Sequence, residues 1–142
     1  MKVSTRRRAL AALALAGTQS AVAQSTPQKA SVGGAIRSGH FLFLSGIGGW
    51  YPERRPQAGD VRQQTSDALG IMKETLAKAG SSMDNVLKVQ VALVDPETNW
   101  EPMNEAYNTF FPKNRPVRSY FGSTGFRRKG QLLQIDCIAY VD

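Results

Sequence analysis

Apolar and polar residues alternate along residues 86–94 of this chain. Alternation with a period of two is typical of a half-buried strand, because successive side chains of a strand point to opposite faces. The apolar side of this strand is predicted to consist of Leu87, Val89, Val91 and Leu93. Asp95 and Pro96 follow directly, and they are expected to end the strand.

The spacing changes to that of a helix after Asp60. Its carboxylate can cap the first free N–H groups, and Gln63 stands at the capping-box position. Gly80 is the predicted stop. The predicted buried stripe comprises Val61, Thr65, Ala68, Leu69, Met72, Leu76 and Ala79.

The remaining elements complete a chain order of β-β-α-β-α-β-β. A hairpin is predicted from residues 35–37 and 41–45, a second helix from about Trp100 to Phe111, and two strands over about 117–121 and 132–141. The apolar face of the second helix is expected to comprise Met103, Tyr107, Phe110 and Phe111. This order predicts an α+β domain with two helices on one face of a mixed sheet.

Covering one face of the sheet leaves the other face open. Apolar residues assigned to this uncovered face are Leu42, Leu44, Ile138 and Tyr140. An exposed apolar sheet face of this kind predicts that the protein associates with itself or with a partner.

The N-terminal residues have the pattern of an export signal. Arg6 to Arg8 precede a nine-residue apolar run, and Ala21 to Ala23 supply small residues at signal-peptidase spacing. We predict a signal peptide over 1–23 cut after Ala23, with a twin-arginine character, and a periplasmic or exported protein. A flexible lead-in is predicted over 24–33 and the domain over 34–142. The alternative for the first residues is a disordered basic tail; the apolar run is too short to span a membrane.

Loss of the signal changes the charge argument. The chain carries 18 Lys and Arg and 11 Asp and Glu, a formal charge of +7, and four of the basic residues precede Gln24. The remaining charge of +3 gives little reason to expect a nucleic-acid partner. One Cys and one His predict neither a disulfide nor a metal site, and Cys137 is expected to be a small buried hydrophobe.

The candidate chemistry lies on the last two strands. Pro116 favours an extended shape for Arg115, so Arg118 stands at the start of a strand, where its planar fork of donors can grip a carboxylate bidentately. Sixteen residues later a second strand carries Gln134 and Asp136 on one face.

Five segments together resemble the RidA (YjgF/YER057c) family. They are Phe41 to Gly46, Ala79 to Val86, Met103 to Phe111, Arg115 to Ser119 and Gln134 to Ala139. The resemblance implies a chorismate-mutase-like fold and a homotrimer with three sites in clefts between subunits. It also implies hydrolysis of reactive 2-enamino and 2-imino acids to 2-keto acids and ammonia, with no cofactor and no metal.

The resemblance also implies individual roles. Arg118 is expected to bind the substrate carboxylate, Ser45 and Gly46 to line the cleft, and Asn104 to support the site or the fold. Gln134 stands where the family has the glutamate that handles the water. Trp50, Tyr51 and Tyr120 are candidates for widening the cleft toward larger or more aromatic ligands.

Gln134 separates the two main functional interpretations. An amide can hold a water but cannot take its proton, so a deaminase with this residue is expected to be weakened. Asp136 lies roughly 7 Å further along the strand and is expected to be structural. The alternative is a non-catalytic trimer that binds a small carboxylate metabolite. RNA cleavage ranks last, because Arg127 to Lys129 are interpreted as a solvated loop.

Overall fold

The structure, a computed structural model, describes residues 28–142. The strands are β1 Lys29–Val32, β2 Ala35–Ser38, β3 Phe41–Gly48, β4 Val86–Val94, β5 Val117–Ser123 and β6 Leu133–Tyr140, and the helices are α1 Val61–Lys78 and α2 Pro96–Phe110. The predicted signal peptide and its cleavage site lie outside these residues. Within the described range, no helix has the length and hydropathy needed to cross a membrane.

One six-stranded sheet carries the domain, in the order β1-β2-β3-β6-β4-β5. The β4–β5 pair is parallel and the other pairs are antiparallel, so the sheet is mixed. Helices α1 and α2 pack on each other and on the sheet, and the core of buried apolar residues lies between these two layers. The predicted α+β architecture is confirmed.

The first strand corrects the expected flexible lead-in. Residues 29–32 form β1, which pairs antiparallel with β2 across the glycines at 33 and 34. Both glycines have positive φ, as a tight turn requires, and a side chain on Gly33 would collide with the backbone of Lys78. The residues of this edge strand are mostly exposed and half of them are polar, so they show no apolar run from which a strand could be predicted.

The helix boundaries follow the predicted caps in part. Asp60 accepts a hydrogen bond from the backbone N–H of Gln63 (2.9 Å), and all seven residues of the predicted stripe are buried. The reciprocal half of the capping box is absent here, because the Gln63 amide donates to Asp67 instead. Helix α2 begins at Pro96, four residues before the prediction, since a proline needs no N–H partner at the first helical position.

Strand β4 departs from strict alternation at its start. The register with β6 shifts between Val86 and Lys88, and Leu87 is exposed rather than part of the core. A bulge inserts one extra residue and so reverses the side on which the preceding residues point. Val89, Val91 and Leu93 are buried as predicted.

The predicted uncovered face was wrong for two of its four residues. Leu42 and Leu44 point into the core under the helices, and their neighbours Phe41 and Phe43 are exposed instead. A shift of one residue exchanges the two faces of a strand, and an unbroken apolar run gives no signal about which face is which. The open face is nevertheless apolar, and Tyr140 lies on its exposed side as expected.

A buried amide holds the loops that follow β3 and β5 against α1. Gln64 is fully buried, and its Nε2 donates to the carbonyls of Gly59 (3.1 Å) and Gly130 (2.8 Å). Its Oε1 accepts from the backbone N–H of Leu132 (2.9 Å). Gly49 lies so close that any side chain there would collide with this amide. Gln64 therefore sets where both loops meet the sheet.

We predict that Gln64→Ala destabilises the fold by at least about 2 kcal/mol. The substitution removes three hydrogen bonds made by a fully buried amide, and each such bond contributes roughly 0.5–1.5 kcal/mol. Urea unfolding followed by circular dichroism measures the change. The matched control is Gln57→Ala, which removes the same amide from an exposed position and should change the unfolding free energy by less than about 0.5 kcal/mol. Equal effects of the two variants would contradict this role for Gln64.

Candidate functional site

Arg118 lies on the helix-covered side of β5, the edge strand of the sheet. Its register partner on β4 is Val89, which pairs with Cys137 on β6, and Cys137 pairs with Leu44 on β3. Residues in register point to the same face of a sheet, and the last three belong to the core. The Arg118 side chain therefore extends toward α2 at the margin of the core.

Two aromatic rings and an amide surround the guanidinium. The Arg118 Cζ lies 4.4 Å from the ring centre of Tyr107 and 5.1 Å from that of Trp100. Its Nη2 donates to the Asn104 Oδ1 (2.9 Å), whereas its Nη1 is buried and has no hydrogen-bond partner. Neither ion pair formed within residues 28–142 includes Arg118. The cation is thus oriented by rings and an amide, with no neutralising carboxylate.

Tyr107 and Tyr120 complete the group of side chains around Arg118. Tyr107 is almost fully buried, its hydroxyl has no partner, and burial raises its pKa to about 12 although the nearby Arg118 acts in the opposite direction. Tyr120 lies on the same side of β5 as Arg118, and its ring packs against Trp100 with centroids 4.5 Å apart. The structure thus brings Arg118, Asn104 and Tyr120 together, as predicted for binding residues.

Ser45 and Gly46 form a second group at a bulge in β3. The Ser45 hydroxyl (3.0 Å) and the Gly46 N–H (2.8 Å) both donate to the same oxygen of Asp136. Gly46 has a φ of +72°, so the bulge needs a residue without a side chain. These donors are therefore engaged within the protein, and Asp136 has the structural role that was expected of it.

Gln134 stands on the open face at the edge of a cleft. Its register partners are Gly48 on β3 and Ala92 on β4, so small residues flank it on both sides. The cleft has a volume of about 590 Å³. It is lined by Gln134, Gln131, Phe126, Arg127 and Arg128, together with two glycines of β3. The predicted water-holding amide thus reaches an open, polar cavity.

Arg118 and Gln134 do not lie close enough within one chain to share a ligand. Gln134 is in register with Ala92, which pairs with Phe121, three residues beyond Arg118 on β5. Two strand spacings and three residues place the Cα atoms of Arg118 and Gln134 roughly 14 Å apart. Their side chains also point to opposite faces of the sheet. A single copy therefore cannot place both on one small acid.

Sequence reasoning missed Trp100 and the contact between Arg128 and Trp50. Trp100, Asn104 and Tyr107 follow helical spacing on α2, and that spacing could have identified the tryptophan. Arg127, Arg128 and Lys129 are exposed, as the interpretation of a solvated loop expected, and the Arg128 Cζ lies 5.3 Å from the ring centre of the buried Trp50. No sequence signal pairs these two distant residues.

Trp50 and Tyr51, proposed to widen the main cleft, lie elsewhere. Both line a separate cleft of about 450 Å³ between β3 and α1, where the Tyr51 hydroxyl donates to Glu74 (2.9 Å). Cys137 is buried as expected, and burial raises the pKa of its thiol to about 12. Among the described residues, no three His, Cys, Asp or Glu side chains cluster as a metal site would require.

Comparisons with known proteins identify the family of this chain. Residues 23–141 match the family model described as Endoribonuclease L-PSP. The crystal structure of Rv2704 from Mycobacterium tuberculosis, a member of the YjgF/YER057c/UK114 family, superposes with a TM-score of 0.67 at 29% identity and covers 76% of this chain and 85% of that one. The chain belongs to the RidA (YjgF/YER057c) family.

Two curated RidA relatives show the range of names within the family. The RutC family protein PH0854 of Pyrococcus horikoshii is 35% identical over 107 residues, which cover 75% of this chain and 83% of that protein. The chloroplastic Reactive Intermediate Deaminase A of Arabidopsis thaliana is 31% identical over 106 residues, which cover 74% of this chain but only 56% of that protein.

We predict that the stability of this RidA protein falls as the pH rises from about 9 to 12. The unfolded Cys137 thiol and Tyr107 phenol ionise near pH 9 and 10, whereas burial keeps both protonated in the folded state up to about pH 12. The unfolded state therefore binds fewer protons in this window, and the unfolding free energy decreases with pH.

Urea midpoints measured across this range test the prediction. Cys137→Ala and Tyr107→Phe should each flatten the alkaline slope, and below pH 8 neither variant should change the pH dependence. A slope that survives in the double variant would assign the loss of stability to other groups.

Proposed function

We propose that this protein hydrolyses reactive 2-imino acids, and the enamines that form them, to 2-keto acids and ammonia. The observation that carries the proposal is the Arg118 guanidinium, which is oriented by Trp100, Tyr107 and Asn104 but has no carboxylate partner. Its Nη1 has no hydrogen-bond partner among the described residues, so one donor of the guanidinium is left for an anionic ligand. The name of the Arabidopsis relative, a reactive intermediate deaminase, supports the same chemistry.

For this reaction the protein mainly has to position the substrate and the attacking water. Water adds to the imine carbon, one of its protons passes to the nitrogen, and the resulting carbinolamine loses ammonia to leave a ketone. Arg118 would fix the 2-carboxylate through a charge-assisted contact, and Gln134 would hold the attacking water. The basic imine nitrogen can receive the proton that the amide of Gln134 cannot accept.

Gln134 makes slow turnover the expected outcome. Asp136, a carboxylate on the same face, accepts hydrogen bonds from Ser45 and Gly46 and does not line the cleft. The residues lining the 590 Å³ cleft include no Asp, Glu or His within the described part of the chain. This observation favours a second candidate function, a metabolite-binding protein that captures a small carboxylate without turnover.

A small carboxylate is proposed as the ligand in preference to RNA. Cleavage of RNA needs a general base beside its 2′-hydroxyl, and the cleft lining offers arginines and amides instead. The predicted export signal would also place the protein in the periplasm, away from cytoplasmic RNA. The family description as an endoribonuclease is therefore not extended to this chain.

We further propose that the active unit is a homotrimer. The open sheet face presents a continuous apolar surface, with Ile36, Phe41 and Phe43 each more than 40% exposed. Association of open faces would bury this surface. A trimer in which the β5 edge of one copy lies beside the open face of the next would bring the Arg118 group of one copy to the Gln134 group of another, which a single chain cannot do for itself.

Arg118→Ala should lower affinity for a 2-keto acid product at least about tenfold. The loss of a charge-assisted hydrogen bond removes the main attraction for the 2-carboxylate. Arg118→Lys should recover only part of the affinity, because an ammonium lacks the planar fork. Titration calorimetry with 2-oxobutanoate measures both variants. Arg62→Ala, which removes an exposed arginine paired with Glu105, is the matched control and should bind like wild type. Unchanged affinity in Arg118→Ala would refute the proposed anchor.

Gln134→Glu should raise the turnover of imino acids by up to about 100-fold. The new carboxylate can accept a proton from water, and general-base catalysis typically contributes roughly 10²–10⁴-fold. Keto-acid release from freshly generated 2-iminobutanoate measures the rate. Gln131→Glu places the same charge in the same cleft without occupying the proposed water position, and should give no such gain. A wild-type rate that already equals that of Gln134→Glu would contradict the importance of this residue.

Sedimentation should identify wild type as a trimer and Phe43→Asp as a monomer. A charge on the open face, between the register neighbours Ile36 and Ile138, cannot be desolvated without a partner. Analytical ultracentrifugation at micromolar concentration measures the state. Lys78→Asp changes an exposed residue of α1. This variant is the control and should remain trimeric. A monomeric wild type would refute the shared site.

A further inference from the structure

The cleft beside Gln134 is larger and more basic than a three-carbon acid requires. Its volume of about 590 Å³ falls within the range of roughly 300–1,000 Å³ that proteins use for drug-sized ligands. Two of its lining residues, Arg127 and Arg128, are cationic, and no Asp or Glu contributes to the lining within the described part of the chain. Neither ion pair formed by residues 28–142 includes either arginine.

The wall that carries these arginines is held in place. Gly130 and Leu132, which follow the arginines, are hydrogen bonded to the buried amide of Gln64. Gln131 donates to the Leu133 carbonyl (3.0 Å), and its amide lies so close to Gly48 that a side chain there would collide with it. The loop is thus anchored to α1 and β3 from within the fold.

Arg128 is itself positioned by a core residue. Its guanidinium lies over Trp50, which is 4% exposed and fixed in the fold. Stacking on a ring orients the plane of an arginine and leaves its in-plane donors free for an anion. The buried ring of Trp50, the anchored loop and the two arginines without ion pairs in the described part of the chain therefore give this cleft one wall suited to binding an anion, adjacent to Gln134.

We propose that the substrates of this site are imino dicarboxylic acids, whose second carboxylate binds at Arg127 and Arg128. This inference rests on the proposed function, in which Arg118 of another copy holds the 2-carboxylate and Gln134 holds the water. The two anionic ends of the substrate would then lie on either side of the reacting carbon. A monocarboxylic imino acid would leave the basic wall unpaired.

The test compares two keto acids that differ only in the distal carboxylate. By titration calorimetry, 2-oxoglutarate should bind wild type at least about tenfold more tightly than 2-oxopentanoate, since the second carboxylate gains charge-assisted hydrogen bonds. The preference should shrink as NaCl is raised. The double variant Arg127→Ala/Arg128→Ala should lose the preference and bind 2-oxoglutarate no more tightly than 2-oxopentanoate.

Lys129→Ala is the matched control. It removes the same charge from the same loop but from a residue that does not line the cleft, and it should retain the preference. Equal affinities of wild type for the two keto acids, or a preference that survives in the double variant or disappears in Lys129→Ala, would overturn the inference. Displacement of 2-oxoglutarate by a short RNA at lower concentration than by glutarate would also overturn it.

Failure of the inference and failure of the proposed function give different results. If Arg118→Ala weakens both keto acids while the two bind wild type equally, the carboxylate anchor stands and the dicarboxylate assignment is wrong. If Arg118→Ala changes neither affinity, the proposed function itself is wrong. Turnover of imino acids derived from glutamate and from 2-aminopentanoate, measured on the same variants, should follow the order of the binding data.

Discussion

The buried amide of Gln64 is the constraint on which the cleft depends. One fully buried side chain satisfies backbone groups in the loop after β3 and in the loop after β5. A polar group buried in this way has to keep all its partners, because each lost partner exposes an uncompensated cost of desolvation. The two loops are consequently fixed relative to α1 and to each other, and Gln134 and the loop arginines face a cavity of defined shape.

The sheet places the two candidate functional groups apart, and the proposed trimer would bring them together. Arg118 extends toward α2 at one edge, and Gln134 faces the open side two strands away. Each group is well supported in its own environment: rings and an amide orient the arginine, and small neighbours leave the glutamine accessible. Neither group forms a complete site alone. The apolar open face supplies the physical reason for copies to come together, and the same association is what would unite the two halves.

The acidic residue that β6 does provide is committed to structure. Asp136 accepts hydrogen bonds from Ser45 and Gly46, and this double contact holds the β3 bulge. Gln134, two residues earlier on the same strand, carries an amide, which cannot take a proton from water. In the proposed site, the residues of this chain are therefore better suited to binding and orienting a ligand than to proton transfer.

Much of this fold is determined locally, and so the sequence alone predicts it. Helix α1 was predicted from its Asp60 cap and helical stripe, β4 from its alternation, and Arg118 as a ligand-binding candidate from its position after Pro116 at the start of a strand. Each of these signals depends on residues within a few positions of one another. Ordered local segments were also enough to identify the family.

The features that were missed depend on distant parts of the chain. Which face of the 41–44 run is buried is decided by where the helices pack, and the bulge at Leu87 is decided by its pairing with β6. Trp100 joins the Arg118 site only because α2 lies over β5, and Arg128 meets Trp50 across some eighty residues of sequence. The sequence by itself determined the elements and the main chemical groups. Only the tertiary structure decided which groups share a site, because contacts of this kind arise from packing and leave no periodic signal in the chain.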